Sequence, residues 1–255
     1  MANADAELSD DAALGGRLVL RQPRRGHRFG HDSILLAAAT AAEPGEHAVE
    51  LGAGIGAAGL ALAHRVEGLN VALVEIDPEL AALASRNAER NGLSPRVRAI
   101  CLDVAASAAD FAAAGLAPGS VDRVLMNPPF NAPDNPPPDV GRRLARVSAP
   151  ETLTLWLRTA ARLLRPGGAV TLVWRADGLA GVLAALVEDF GAVSLLPIHP
   201  RAGTPAIRII ASATKGRNGP LALLPALLLA GDDGKPSAAA ETVLRHGATL
   251  PMAPG

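Results

Sequence analysis

The sequence predicts a doubly wound α/β domain on a mostly parallel, seven-stranded sheet, preceded by a short N-terminal hairpin and helix. Three observations carry that expectation. From His47 onward, short and largely apolar runs alternate with helix-length segments, as happens when helices cover both faces of a parallel sheet. A glycine-rich turn, Gly52 to Gly59, separates the first such run from its helix. Acids, Glu75 and Asp103, follow the next two runs.

Taken in order, "RLVLRQPRRGHRFGHDSILLAAAT" opens the ordered part: Leu18–Leu20 and Arg28–Phe29 flank a Pro/Gly turn and read as a hairpin. Asp32-Ser33 then reads as the cap of an alanine-rich helix ending near "AEPGE". Strands follow at His47–Leu51, Asn70–Glu75, Val97–Leu102, Val121–Met126 and Ala169–Trp174, with helices between them at Ala57–Val66, Pro78–Asn91 and Glu151–Leu164. "LLRPGGAVTLVW" fits a helix end, a Pro-Gly-Gly turn and a buried strand. A helix at Leu179–Phe190 and strands at Val193–Ile198 and Ala206–Ala213 complete the sheet. Residues 1–16 read as a flexible tail, 17–45 as the hairpin and helix, 46–215 as the nucleotide-binding domain and 216–255 as a C-terminal extension.

At 255 residues and 49% apolar composition the chain can bury one sizeable core. Its net charge of -1 argues against a uniformly nucleic-acid-coated surface, although the basic side is nearly all Arg. Cys101, the single cysteine, excludes an intrachain disulfide, fits a reducing compartment and reads as inert core. "MANADAELSD" lacks the apolar stretch of a signal peptide, and Leu221–Ala230 is too short to span a bilayer, so a cytoplasmic protein without a membrane segment is expected. No Cys/His/Asp cluster has metal-ligand spacing, and His31 and His199 are not read as ligands.

In "AVELGAGIGAAGLALA", Gly52, Gly54 and Gly56 permit a tight turn and a close approach of backbone to a nucleotide. Glu75 ends the second strand, where a carboxylate can accept ribose hydroxyls; Asp77 is the better cap for the next helix, which leaves Glu75 available. Asp103, after the third strand, can accept from an adenine amine. Together they indicate an adenosine-containing cofactor, and an NAD-binding protein would look much the same.

"VLMNPPFNAPDNPPPD" narrows the choice. Proline cannot join a sheet ladder, so the strand stops near Met126. Pro128 and Pro129 fix their own φ, and Pro128 holds Asn127 extended. The Asn127 side-chain oxygen and a proline carbonyl then form a pair of acceptors for a planar –NH2 group, and Phe130 offers a face for stacking. Such a clamp suits methyl transfer to an amide or exocyclic amine, because accepting the N–H groups frees the nitrogen lone pair and stabilises the developing positive charge. "NAPDNPPPD" reads as a mobile rim loop.

These residues resemble a known family. "ELGAGIG", "VEID" and "NPPF" look like the motifs of S-adenosylmethionine-dependent amino-methyltransferases of the Rossmann-like class I fold. "QPRRGHRFGHDSILLAA", "NPPFNAP" and "IHPRAGTPAIRIIASATKGRNGPLALLPALLL" resemble the bacterial valine-tRNA adenine-N6 methyltransferase family. The resemblance implies S-adenosyl-L-methionine as cofactor, an RNA substrate, and a catalytic set of Asn127, Pro128, Pro129 and Phe130. It further implies that Gly52, Gly54 and Gly56 shape the cofactor turn, that Glu50 helps hold the amino-acid end, and that Glu75 takes the ribose and Asp103 the adenine. Arg28, His31, Asp32 and Asn127 would lie near the cofactor. "GKPSAAAETVL" departs from the family pattern near Pro236, which leaves the tail without an assigned role.

Three basic segments would bind phosphates around a splayed-out base if they converge on the cleft rim. They are Arg17, Arg21, Arg24, Arg25 and Arg28; Arg142, Arg143 and Arg146; and Arg201, Arg208, Lys215 and Arg217. The leading expectation is N6-methylation of an adenosine in RNA, most naturally tRNA. A protein-glutamine N5 or guanine-N2 methyltransferase shares the clamp, although the stretch before His47 is too short for the helical substrate domain the glutamine enzymes carry. An NAD-dependent oxidoreductase or a non-catalytic nucleotide-binding module would leave Asn-Pro-Pro-Phe unexplained.

Overall fold

The computed structural model describes residues 7–25, 28–129 and 149–252. A two-stranded antiparallel hairpin, β1 (Leu8–Ala13) and β2 (Leu18–Pro23), precedes helix α1 (His31–Ala39). Then come β3 (His47–Leu51), α2 (Ala57–Arg65), β4 (Asn70–Glu75), α3 (Pro78–Arg90) and β5 (Val97–Cys101). The short α4 (Ala108–Ala113) leads to β6 (Val121–Met126), α5 (Ala149–Leu163), β7 (Leu164–Arg175), α6 (Leu179–Leu186), β8 (Phe190–His199) and β9 (Arg208–Lys215). The chain closes with two-residue strands β10 (Ala222–Leu223) and β11 (Leu227–Leu228) and helix α7 (Ala238–His246).

The main sheet runs β5-β4-β3-β6-β7-β9-β8, with β10 and β11 added along the outer edge of β8. Every pairing is parallel except those of β9, which is antiparallel to β7 and β8. The chain winds outward from β3 through β4 to β5, then returns to β6 and winds the other way. The switch point, where a crevice opens beyond the carboxyl ends of the strands, therefore lies between β3 and β6. Each face of the sheet has its own core. Alanine-rich α1 and α2 pack with α3, Leu18, Leu20 and Val243 on one face, and α4, α5 and α6 pack around Phe111 and Trp156 on the other.

Local chemistry sets the helix ends. Asp77 caps α3, its Oδ1 accepting from the N–H of Glu79 at 2.8 Å and of Leu80 at 3.3 Å, with Pro78 in the first turn. Ser107 and Asp110 form a reciprocal capping box at α4. Gly247 ends α7 at φ 68°.

Several expectations need correction. The hairpin partner of β2 is Leu8–Ala13 rather than Arg28–Phe29, because the alternating burial of β1 and β2 lets both strands pack through one face. Helix α1 is capped by Gly30, without a side-chain bond, so Asp32 sits inside its first turn. Strand β7 begins at Leu164, which pairs with Val121, and Arg165–Gly168 form an irregularity within the strand rather than a turn before it. Cys101 is exposed, not core, because β5 is the outermost strand and its last residue meets solvent.

The open edge of β2 is closed by side chains. The Asn87 Oδ1 accepts from the N–H of Arg21 at 2.8 Å, and its Nδ2 donates to the Arg21 carbonyl at 3.0 Å. One turn later Asn91 treats Val19 in the same way, with both distances 3.0 Å. Asn87 in α3 and Asn91 at its C-terminal cap thus stand in for a neighbouring strand, satisfying alternate residues of β2 and covering an edge that would otherwise invite pairing. Asn87 is fully buried and also donates to the Ile55 carbonyl at 3.1 Å, which ties the hairpin to the glycine turn. Asn87→Ala removes the side chain that serves three backbone groups, and the expected loss is about 2–4 kcal/mol in urea unfolding. A loss under about 0.5 kcal/mol, the range of an ordinary surface change, would refute this role.

Candidate active site

The register places the site residues side by side. Leu51 pairs with Met126, so the next residues, Gly52 and Asn127, leave neighbouring strands together at the switch point. Glu75 ends β4 and pairs with Cys101, the last residue of β5, with Asp103 two positions further on. Gly52, Glu75, Asp103 and Asn127 therefore share the carboxyl edge of the sheet.

The turn after β3 needs its glycines for different reasons. Gly52, Gly54 and Gly56 all have positive φ, at 67°, 56° and 85°. A Cβ on Gly52 would stand 2.2 Å from Cη2 of Trp156, whose indole fills the space beneath the turn from α5. At Gly54 a Cβ would meet nothing within 4 Å, so there the backbone lies open to a ligand.

Two buried carboxylates hold this turn. Glu75 Oε2 accepts from the N–H of Gly54 at 2.7 Å, and its Oε1 accepts from the N–H of Asp77 at 2.9 Å. Each oxygen keeps a second lone pair for a further donor. Glu50 lies beneath the turn, its Oε2 accepting from the N–H of Gly59 at 2.7 Å in the first turn of α2. Burial pushes the Glu50 carboxyl up to about 8; the Gly59 and Ala58 N–H groups oppose that rise, and the nearby Glu75 charge adds to it.

Asn127 is half-buried and Pro128 buried, while Pro129 is exposed. The Asn127 Oδ1 is shut off from water and accepts no hydrogen bond from the described residues. Such an acceptor costs free energy unless a ligand supplies the donor. Phe130, the loop from Asn131 to Asp139, and Arg142, Arg143 and Arg146 lie outside the described residues. Asp103 is half-buried, with Oδ1 accepting from the N–H of Ala105 at 2.8 Å.

The entry segment spreads out. Arg28 is committed to the hairpin, donating to Asp11 at 2.8 Å, the Pro23 carbonyl at 2.9 Å and Ser9 at 3.1 Å. His31 is exposed at the start of α1. Asp32 pairs with Arg208 Nε at 2.9 Å, which joins α1 to the start of β9 at the carboxyl edge. The basic segments converge only in part. Arg24 and Arg25 line a groove of about 970 Å³ beside Asp77, and Arg201 lies in the β8–β9 loop on the cleft side. Lys215 and Arg217 lie at the opposite end of the sheet, since β9 is antiparallel.

Sequence reasoning missed two residues. Trp156 is core by its helical spacing, and nothing in the sequence links it to Gly52. Its buried Nε1 also lacks an acceptor. Ile76, 43% exposed next to Glu75, offers an apolar face to a flat ring, and its signal was an apolar residue left after the strand-end acid.

Glu50 sets a pH dependence. Its carboxyl titrates higher in the fold than in the unfolded chain, so the folded state holds a proton the unfolded state has released. Stability from this group is complete below about 4.5 and declines as pH rises towards about 8. Glu50→Gln should flatten that decline, so that its melting temperature gains on the wild type between pH 6 and pH 8; parallel curves would contradict the assignment. Gly52→Ala, forced against Trp156 at a positive φ, should lose roughly 2–4 kcal/mol in the same measurement.

Comparison with known proteins bears on the family and the fold. The family model described as "Methyltransferase small domain" matches residues 27–199. A tRNA1(Val) (adenine(37)-N6)-methyltransferase from Tolumonas auensis is 30% identical over 153 residues, 60% of this chain and 61% of that protein. One from Serratia proteamaculans is 28% identical over 190 residues, 74% of this chain and 71% of that protein. The chain thus spans about three fifths of the first of these curated relatives. Among solved structures, a "predicted O-methyltransferase" from Agrobacterium tumefaciens superposes with a TM-score of 0.73 at 28% identity, covering 86% of this chain and 98% of that one. TrmN from Thermus thermophilus shares the fold, with a TM-score of 0.51 at 23% identity over 72% of this chain and 48% of that one. The chain belongs to the methyltransferase small domain family, a family of S-adenosylmethionine-dependent methyltransferases.

Proposed function

We propose that the protein methylates the exocyclic N6 amine of an adenosine in RNA, specifically in a tRNA, and that it works in the cytoplasm. The observation that carries this reading is the buried, unpartnered Oδ1 of Asn127 beside the glycine turn. A hydrogen-bond acceptor in that position suits a substrate atom that brings an N–H. The adenine-N6 activity of relatives at about 30% identity supports the same choice.

The turn fits the cofactor. Gly54 leaves its backbone uncovered, Glu75 has acceptor capacity beside it, and Ile76 presents an apolar face next to that carboxylate. In this reading Glu75 takes the ribose hydroxyls, Asp103 the adenine amine, and Glu50 acts through the turn by holding Gly59. When bound, the cofactor supplies an electrophilic methyl group. Asn127, kept extended by Pro128, accepts an N–H of the acceptor amine and draws the nitrogen towards pyramidal geometry. The methylated nitrogen is briefly cationic and strongly acidic, so its surplus proton passes to water and no strong base is needed. Arg24, Arg25 and Arg201 on the cleft side suit the phosphates flanking an extruded adenosine.

One observation favours a second reading, O-methylation: the Agrobacterium tumefaciens structure covers nearly its whole length with this chain and is described as a predicted O-methyltransferase. A hydroxyl acceptor must lose its proton to become a good nucleophile, and the neutral amide of Asn127 cannot remove it. Incubation with labelled S-adenosylmethionine and total RNA, followed by nucleoside analysis, separates the readings. N6-methyladenosine is the expected product. Label confined to protein would favour a glutamine acceptor, and label confined to small hydroxyl compounds would favour O-methylation. Asn127→Ala should reduce turnover at least ~100-fold, by analogy with losing one preorganised polar group at a reacting centre. Undiminished transfer in that variant would overturn the clamp.

A further inference from the structure

The strongest unassigned feature lies away from the cleft, where α2 and α7 end. The turn between β1 and β2 meets α1, α2 and α7 there around a pocket of about 250 Å³. Its lining includes the apolar side chains of Leu14 and Ile34. Its ionisable lining is all basic: Arg17, His64, Arg65 and His246, with no carboxylate among the lining residues.

Both guanidiniums are anchored. Arg17 Nη1 donates to the His246 carbonyl at 2.7 Å, and Arg65 Nη2 donates to the carbonyls of Ala37 at 2.9 Å and Thr40 at 2.6 Å. They cap the ends of α7 and α1, a sound structural use of Arg at helix C-termini. That use is incomplete, because the buried Nε of Arg65 has no acceptor among the described residues. His64 and His246 are exposed at the pocket mouth. Burial holds the His64 imidazole below its ordinary range, and the Arg17 and Arg96 charges push the same way.

We propose that this pocket binds a phosphate group, held by Arg17 and Arg65 and closed over by His64 and His246. A phosphate oxygen supplies the acceptor that Arg65 Nε lacks, and its charge balances the two guanidiniums that line the pocket. The volume admits a phosphate with a small attached group, and the phosphate can belong to an RNA backbone or to a free small molecule. The proposal does not depend on how the cleft is read.

The test is an NMR titration of the imidazole C–H signals of the full chain with inorganic phosphate at constant ionic strength. Expected are saturable shifts of the His64 and His246 signals, with a dissociation constant at or below ~1 mM, a raised titration midpoint for His64, and unmoved His47 and His199 signals. An oligoribonucleotide without terminal phosphates that produces the same shifts identifies the backbone as the source; shifts with inorganic phosphate alone identify a free phosphate. The double variant H64Q/H246Q, in which neither side chain holds a helix end, should keep its melting temperature and bind phosphate at least ~5-fold more weakly. Shifts that stay linear through ~10 mM phosphate, or a double variant that binds as tightly as the wild type, overturn the proposal.

Discussion

The hydrogen bond from Gly54 N–H to the Glu75 carboxylate is the contact on which the site depends. It joins the turn after β3 to the end of β4, and so fixes the shape of the crevice between the two halves of the sheet. Glu75 can hold it only because the turn adopts positive φ at Gly52, Gly54 and Gly56, and the turn can adopt that path only because Trp156 supports it from below. Glu50 completes the arrangement by anchoring the first turn of α2. Burying two carboxylates so close together is costly, and Glu50 meets that cost by rising in pKa rather than by finding a cation. The turn so held lies beside Asn127, one strand away.

The chain termini support the same crevice from outside. Asn87 and Asn91 tie β2 to α3, and Asn87 reaches Ile55 in the glycine turn, so the hairpin is mechanically part of the site. At the other end, α7 packs against the β1–β2 turn, where a Cβ on Gly15 would stand 2.8 Å from the Arg245 carbonyl. Leu250 N–H donates to the Ala38 carbonyl at 2.8 Å. Helix α1 is thus gripped by both ends of the chain, and through Asp32 and Arg208 it reaches the carboxyl edge. The C-terminal segment contributes packing on α1 and two short strands along β8.

The parallel core was legible because its signals are local. His47–Leu51, Asn70–Glu75 and Val121–Met126 are short, largely apolar runs closed by glycine, acid or proline, and they match the observed strands to the residue. Local signals failed where tertiary contact decides. Strand β1 reads "LSDDAA" and became a strand through its pairing with β2, while the true partner was mistaken for tail. Helix α4 is too short to show a period. Cys101 looked buried because its run is apolar, and the sequence does not say that β5 is the outermost strand. At the site, the order of glycine turn, acids and Asn-Pro-Pro was readable. The indole beneath Gly52 and the separation of Lys215 and Arg217 from the cleft were not, since both depend on strand direction and helix packing.

The central claim is that Asn127 Oδ1 waits for an N–H of the methyl acceptor. A crystal structure of the protein with S-adenosylhomocysteine and an adenosine-containing oligoribonucleotide tests it most directly. The account predicts an extruded adenosine with N6 about 2.7–3.2 Å from Asn127 Oδ1 and the ribose of the bound nucleoside product on Glu75. An Asn127 amide turned onto a protein partner, with the acceptor atom held elsewhere, would contradict it.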